Sequence, residues 1–169
     1  PVTKDTAVVE NGKFEFKGQV YQPERSYLYF VPGNSNFARS IQTAPGTAVY
    51  LEKGNILVEA GDNLYDGVKV SGTKLNNELQ AYNRIVAPFN SRYKELNMEG
   101  RAAQQKGDSV ALDRVSKGFM QLRDERLKAE EKYFEDNLNS EVALEWLTKT
   151  YNIKQEKAKA QAMFNRMSE

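Results

Sequence analysis

Cysteine and histidine are both absent from this chain of 169 residues. Those two absences exclude a disulfide framework, a Cys/His zinc site, a CxxC redox pair, an imidazole general base and a Ser-His-Asp triad. Any catalysis would have to rest on carboxylates, Lys, Arg, Tyr or hydroxyls. An excess of one charge is missing too: 24 basic residues stand against 23 acidic ones, for a net +1. No block of five like charges occurs, so no nucleic-acid partner is signalled. Apolar runs are only a few residues long, and no membrane span is expected in this chain. The opening Pro-Val-Thr-Lys carries neither an initiator Met nor the apolar centre of a signal segment and reads as the edge of a processed or trimmed piece. The missing cysteines fit an oxidising compartment without bridges as readily as a reducing one.

What is present divides by hydrophobic period, which changes from two to about three and a half near residue 73. The expected fold class is therefore α+β: an antiparallel β-sandwich or open barrel over 1–73, then a helical module or linker over 74–169 with a long helical hairpin. Thr6 to Glu10 and Lys13 to Val20 read as a β-hairpin around Asn11-Gly12, because that dipeptide tolerates the positive φ angles of a type I′ turn. Ser26 to Val31, Thr47 to Glu52, Ile56 to Ala60 and Val68 to Ser71 read as further strands. Lys53-Gly54-Asn55 is the expected connection of a hairpin between the middle two.

Beyond Gly72-Thr73 the residues Leu75, Leu79, Tyr82, Val86, Phe89, Tyr93 and Leu96 form a helical core stripe. Pro88 predicts a kink or break at Ala87, and Gly100 a stop. Gly107-Asp108-Ser109 predicts the start of a second helix to about Leu138, with Ala111, Val115, Phe119, Leu122, Ala129 and Tyr133 facing inward. Asn139-Ser140 caps a third helix with Val142, Trp146 and Leu147. Asn152 caps a fourth with Met163, Phe164 and Met167.

Few residues invite a functional reading. The charge run Arg123 to Asp136 alternates sign at helical spacing, as in Arg126 with Glu130, and reads as a solvated face. Glu10, Glu15, Glu52 and Glu59 are the carboxylates an acid–base pair would need, yet Glu15 and Glu52 fall out of phase with their apolar neighbours and read as outward-facing. No catalytic, cofactor-binding or metal-binding residue is expected. Tyr27, Tyr29, Tyr50 and Tyr65 are the candidate recognition surface, since tyrosine is an efficient contact residue, although aromatic residues on strands ordinarily pack inward.

Three segments carry a family resemblance: Asn11-Gly12-Lys13-Phe14-Glu15-Phe16-Lys17-Gly18, then Val49-Tyr50-Leu51-Glu52-Lys53-Gly54-Asn55-Ile56, then Val70-Ser71-Gly72-Thr73-Lys74-Leu75-Asn76 with Leu79 and Tyr82. In order and spacing they resemble the domain of unknown function at the N-terminus of envelope thiol:disulfide oxidoreductases of Gram-negative bacteria, TlpA-like proteins of the broad AhpC/TSA and thioredoxin-like class. The resemblance implies a non-catalytic accessory domain, periplasmic or carried on an envelope lipoprotein. Such a domain would position or dimerise a redox domain, or select its clients. Its implied partners are a thioredoxin-like domain in the same full-length chain, and protein clients or a second copy. The family's chemistry sits on cysteines that this sequence lacks, so no catalytic residue carries over. The alternative is a freestanding envelope module that binds a peptide, glycan or lipid. In a trimmed piece, the hairpin at Asn11-Gly12 is expected either to join a second chain edge to edge or to leave a strand unpaired.

Overall fold

The computed structural model describes residues 5–33, 46–64, 67–150 and 157–167. Strand β1 (Glu24–Leu28) pairs antiparallel with β2 (Thr47–Leu51), setting Arg25 opposite Tyr50 and Tyr27 opposite Ala48. Strand β3 (Leu57–Glu59) pairs antiparallel with β4 (Lys69–Ser71), setting Val58 opposite Val70. Helices α1 (Lys74–Lys106), α2 (Ser109–Glu135), α3 (Glu141–Thr150) and α4 (Lys157–Met167) follow. The class is α+β.

The strands do not assemble as their number suggested. Among the described residues they form two separate two-stranded sheets and close neither a sandwich nor a barrel. Strands β2 and β3 flank Lys53-Gly54-Asn55 but pair with β1 and β4 instead of each other. Gly72 makes that arrangement possible, since it holds φ 94° and a Cβ there would lie 2.3 Å from the Asn55 carbonyl oxygen. The Asn11-Gly12 turn has positive φ at both residues, 50° and 74°, and Glu10 and Lys13 exchange backbone bonds of 2.9 and 3.0 Å. Pairing stops at that bridge. A two-stranded ribbon is marginal without a third strand or a packed face, and Val8, Val9, Phe16 and Val20 along this one are exposed.

The helical stripe forms as expected, but its boundaries move. Helix α1 is continuous through Pro88 and Gly100, about 50 Å at 1.5 Å per residue. Pro88 costs about 3 kcal/mol in a helix interior, and α2 packs on α1 both before and after it, Tyr133 against Tyr82 and Phe119 against Tyr93. Gly100 instead faces α2 from within the helix, where a Cβ would sit 3.4 Å from Val115, an ordinary contact distance. The stop is Gly107 at φ 65°: its N–H bonds to Gln104 O at 3.2 Å and that of Asp108 to Ala103 O at 3.0 Å, the paired bonds of a Schellman motif. Asp108 then caps α2, accepting from Ala111 N at 2.9 Å. The two helices run back antiparallel, with Leu96 against Gly118, Tyr93 against Phe119 and Tyr82 against Tyr133.

The main core lies where the start of α1, the end of α2, helix α3 and β2 meet. Phe134 is its centre at 1% exposure, stacked on Trp146 at 4.5 Å and against Tyr82 at 5.3 Å. Leu75, Leu79, Tyr50, Val142 and Leu147 close around it. Ser140 caps α3 as expected, its hydroxyl oxygen accepting from Val142 N at 3.1 Å while it donates to Glu78 at 2.5 Å. Asn152, the expected cap of the fourth helix, lies outside the described residues.

Candidate functional site

The first two turns of α1 are the hub that joins the strands to the helices. Thr73 begins the helix without capping it through its side chain. The capping oxygen comes instead from Glu52 at the end of β2, whose Oε1 accepts from Leu75 N at 2.8 Å and Asn76 N at 3.4 Å. Glu52 is thus no outward-facing solubilising residue: its charge sits on the positive end of the helix. Asn76, fully buried, closes the other side of the same strand. Its Oδ1 accepts from Tyr50 N and its Nδ2 donates to Tyr50 O, each at 2.8 Å, and Nδ2 also reaches Thr73 Oγ1 at 2.8 Å. Gln80 does the same for β4, accepting from Val70 N at 3.1 Å.

Helix α3 is tied to the sheet by Glu145. One carboxylate oxygen accepts from Arg25 Nη1 at 2.7 Å and the other from the Tyr50 hydroxyl. Burial, then the bond and charge of Glu145, push the Tyr50 hydroxyl well above its ordinary range. Burial pulls Arg25 down, but the bond and charge of Glu145 outweigh it and hold the guanidinium above its ordinary value. Arg25 also lies 5.6 Å from the centre of the Tyr27 ring, a cation–π contact. Along the hairpin, Glu130 is buried at 5% exposure and accepts from the Tyr82 hydroxyl at 2.7 Å and Arg126 Nε at 2.9 Å. One member of the charge run is therefore internal.

The four candidate tyrosines do not form one surface. Tyr27 is half exposed and tilts against the half-buried Tyr29 at 6.4 Å. Tyr50 is a core residue at 5% exposure, because strand alternation turns it with Arg25 under α3. Tyr65 lies outside the described residues. The exposed remainder is the outer edge of β1 with Tyr27 on its rim. Glu15 pairs with Lys17 in solvent and Glu59 stands opposite Lys69. A depression of about 340 Å³ at the hairpin tip is lined by Glu99, Lys106, Asp108 and Arg114, with both signs of charge. Among the described residues no cluster of acidic side chains has the grouping of a metal site, and no helix is long and apolar enough to cross a membrane.

These features define an α+β module in which small sheets are clipped to a helical hairpin by side-chain amides and one carboxylate. The family model described as a domain of unknown function (DUF4369) matches residues 1–79. The matched segment carries both halves of the Asn76–Tyr50 clip. No curated protein and no solved structure gives a significant match.

Proposed function

We propose that this chain is a non-catalytic accessory module of a bacterial envelope thiol:disulfide interchange protein, serving to hold its redox domain in place, bring two copies together or select clients. The observation that carries the reading is the coupling of a DUF4369-matched β part to the helices through directional bonds, buried at Asn76 and partly buried at Glu52 and Glu145. Such a joint transmits orientation, as a positioning element must. The absence of cysteine and histidine leaves the module no thiolate of its own, so the redox chemistry belongs to a partner domain. On this reading the small sheets belong to a larger antiparallel arrangement in the complete protein, in the periplasm or on an envelope lipoprotein.

The half-exposed Tyr27 favours a second reading, a freestanding envelope module for a peptide, glycan or lipid. Sequencing the reading frame beyond the codon for Glu169 separates the two. A thioredoxin-like domain with a CxxC supports the accessory role. A stop codon or an unrelated domain overturns it.

A further inference from the structure

The backbone of Tyr50 faces away from β1, because its N–H and C=O are both held by the side chain of Asn76 on the opposite side. In an antiparallel ladder two opposed residues share this orientation, so Arg25 turns its own N–H and C=O away from β2, and by alternation Tyr27 does too. Among the described strands none pairs that outer edge of β1. Such a row of donors and acceptors is a template for another strand. The other side of the sheet is closed to pairing by Asn76.

We propose that the outer edge of β1 is a dimer interface, in which two copies of this chain pair their β1 strands antiparallel about a two-fold axis at Ser26. The edge is self-complementary in that register. The outward-facing groups of Arg25 meet those of the partner's Tyr27, and the reverse, so both pairs exchange N–H to C=O bonds, and the two Ser26 residues meet in the close, non-hydrogen-bonded pair between them. Side chains agree with backbone. Arg25 is fixed in place by Glu145 with one aromatic face already 5.6 Å away, and the partner's Tyr27 brings a second to the same guanidinium. A sheet of two strands, marginal alone, becomes one of four. The inference deepens one arm of the accessory role, the pairing of two copies, yet stands without that role, since nothing in it involves a redox domain.

The chain's lack of cysteine makes the test direct. In the proposed register Ser26→Cys places two thiols across a close pair, where the Cα separation of about 4.5 Å suits a disulfide. Glu24→Cys places them roughly 13 Å apart. Mild oxidation is expected to cross-link most of the S26C protein and little of the E24C protein, and light scattering to give a dimer for the wild type. Tyr27→Pro removes an outward N–H, which an edge strand tolerates, together with a half-exposed ring, and is expected to give a folded monomer. A wild-type chain that stays monomeric at its solubility limit overturns the proposal. So does equal cross-linking of the two cysteine variants. A monomer whose Tyr27 amide is protected from hydrogen exchange would mean that another segment of the same chain covers the edge, and it overturns the proposal as well.

Discussion

The side chain of Asn76 binds the backbone of Tyr50 as a neighbouring strand would, donating to its carbonyl and accepting from its N–H, both at 2.8 Å. A helix side chain here takes the place of a sheet partner. Each buried backbone group left without a partner costs about 1–3 kcal/mol. Asn76→Ala should therefore destabilise the chain by about 2–4 kcal/mol in urea unfolding, with an unchanged m-value. Asn77→Ala, which loses one exposed 3.3 Å bond to Gly72 N, should cost well under half of that. Equal losses would show that Tyr50 finds other partners.

Little in the sequence pointed to that clip. Asn76 lies one residue off the Leu75–Leu79 stripe, and its burial depends on β2 folding back onto α1 from 26 residues earlier. Glu52 misled for the same reason, because strand phase describes the faces of a sheet and not the helix start beyond its end. Glu130 was hidden by its charged neighbours, though Tyr82 on the facing stripe supplies its bond. The legible features were local: Asn11-Gly12 as a turn, Asp108 and Ser140 as caps, and the apolar period of α1. Gly100 and Gly107 differ in a way that only the structure reveals, one lying within α1 against Val115 and the other ending the helix at a left-handed φ.

The Arg25–Glu145 pair joins the sheet to α3 at 2.7 Å, with side chains 30% and 22% exposed. A partly exposed pair of this kind couples by about 1 kcal/mol. Glu145→Ala also strips the Tyr50 hydroxyl of its acceptor, so that variant should lose about 1–3 kcal/mol and more than Arg25→Ala does. A double-mutant cycle over Arg25→Ala and Glu145→Ala should return a coupling of about 1 kcal/mol. Strict additivity would break the proposed tie.

Stability should fall in alkali. Burial first, then the bond to Glu130, raises the Tyr82 hydroxyl to about 12 against the pull of Arg126. An unfolded tyrosine loses its proton near pH 10, whereas the folded one keeps it to about 12. Between those values the folded chain holds more protons, so this contribution is complete below pH 10 and disappears as pH rises to 12. Tyr82→Phe should flatten the decline by about 1 kcal/mol, discounted because the site is partly solvated. Denaturant midpoints at pH 9 and 11.5 for both proteins measure it; parallel declines would assign the effect to Tyr50 and Tyr133, which are raised too.

Two phenylalanines on α2 face the same partner helix with unequal burial. Phe119 leans on Tyr93 at 5.2 Å, and Tyr93 is itself 55% exposed. Phe134 has 1% exposure and touches Tyr82, Tyr133 and Trp146, so its removal opens a cavity among three elements. Phe134→Ala should cost about 3–5 kcal/mol, enough to unfold a marginal domain. Phe119→Ala loses mainly one rim contact, and a neighbouring ring can move over the gap, so its cost should stay near 1–2 kcal/mol. Thermal melts of both variants rank them, and a Phe119→Ala protein that melts lower than Phe134→Ala would place the anchor of the hairpin near its middle instead of at its base.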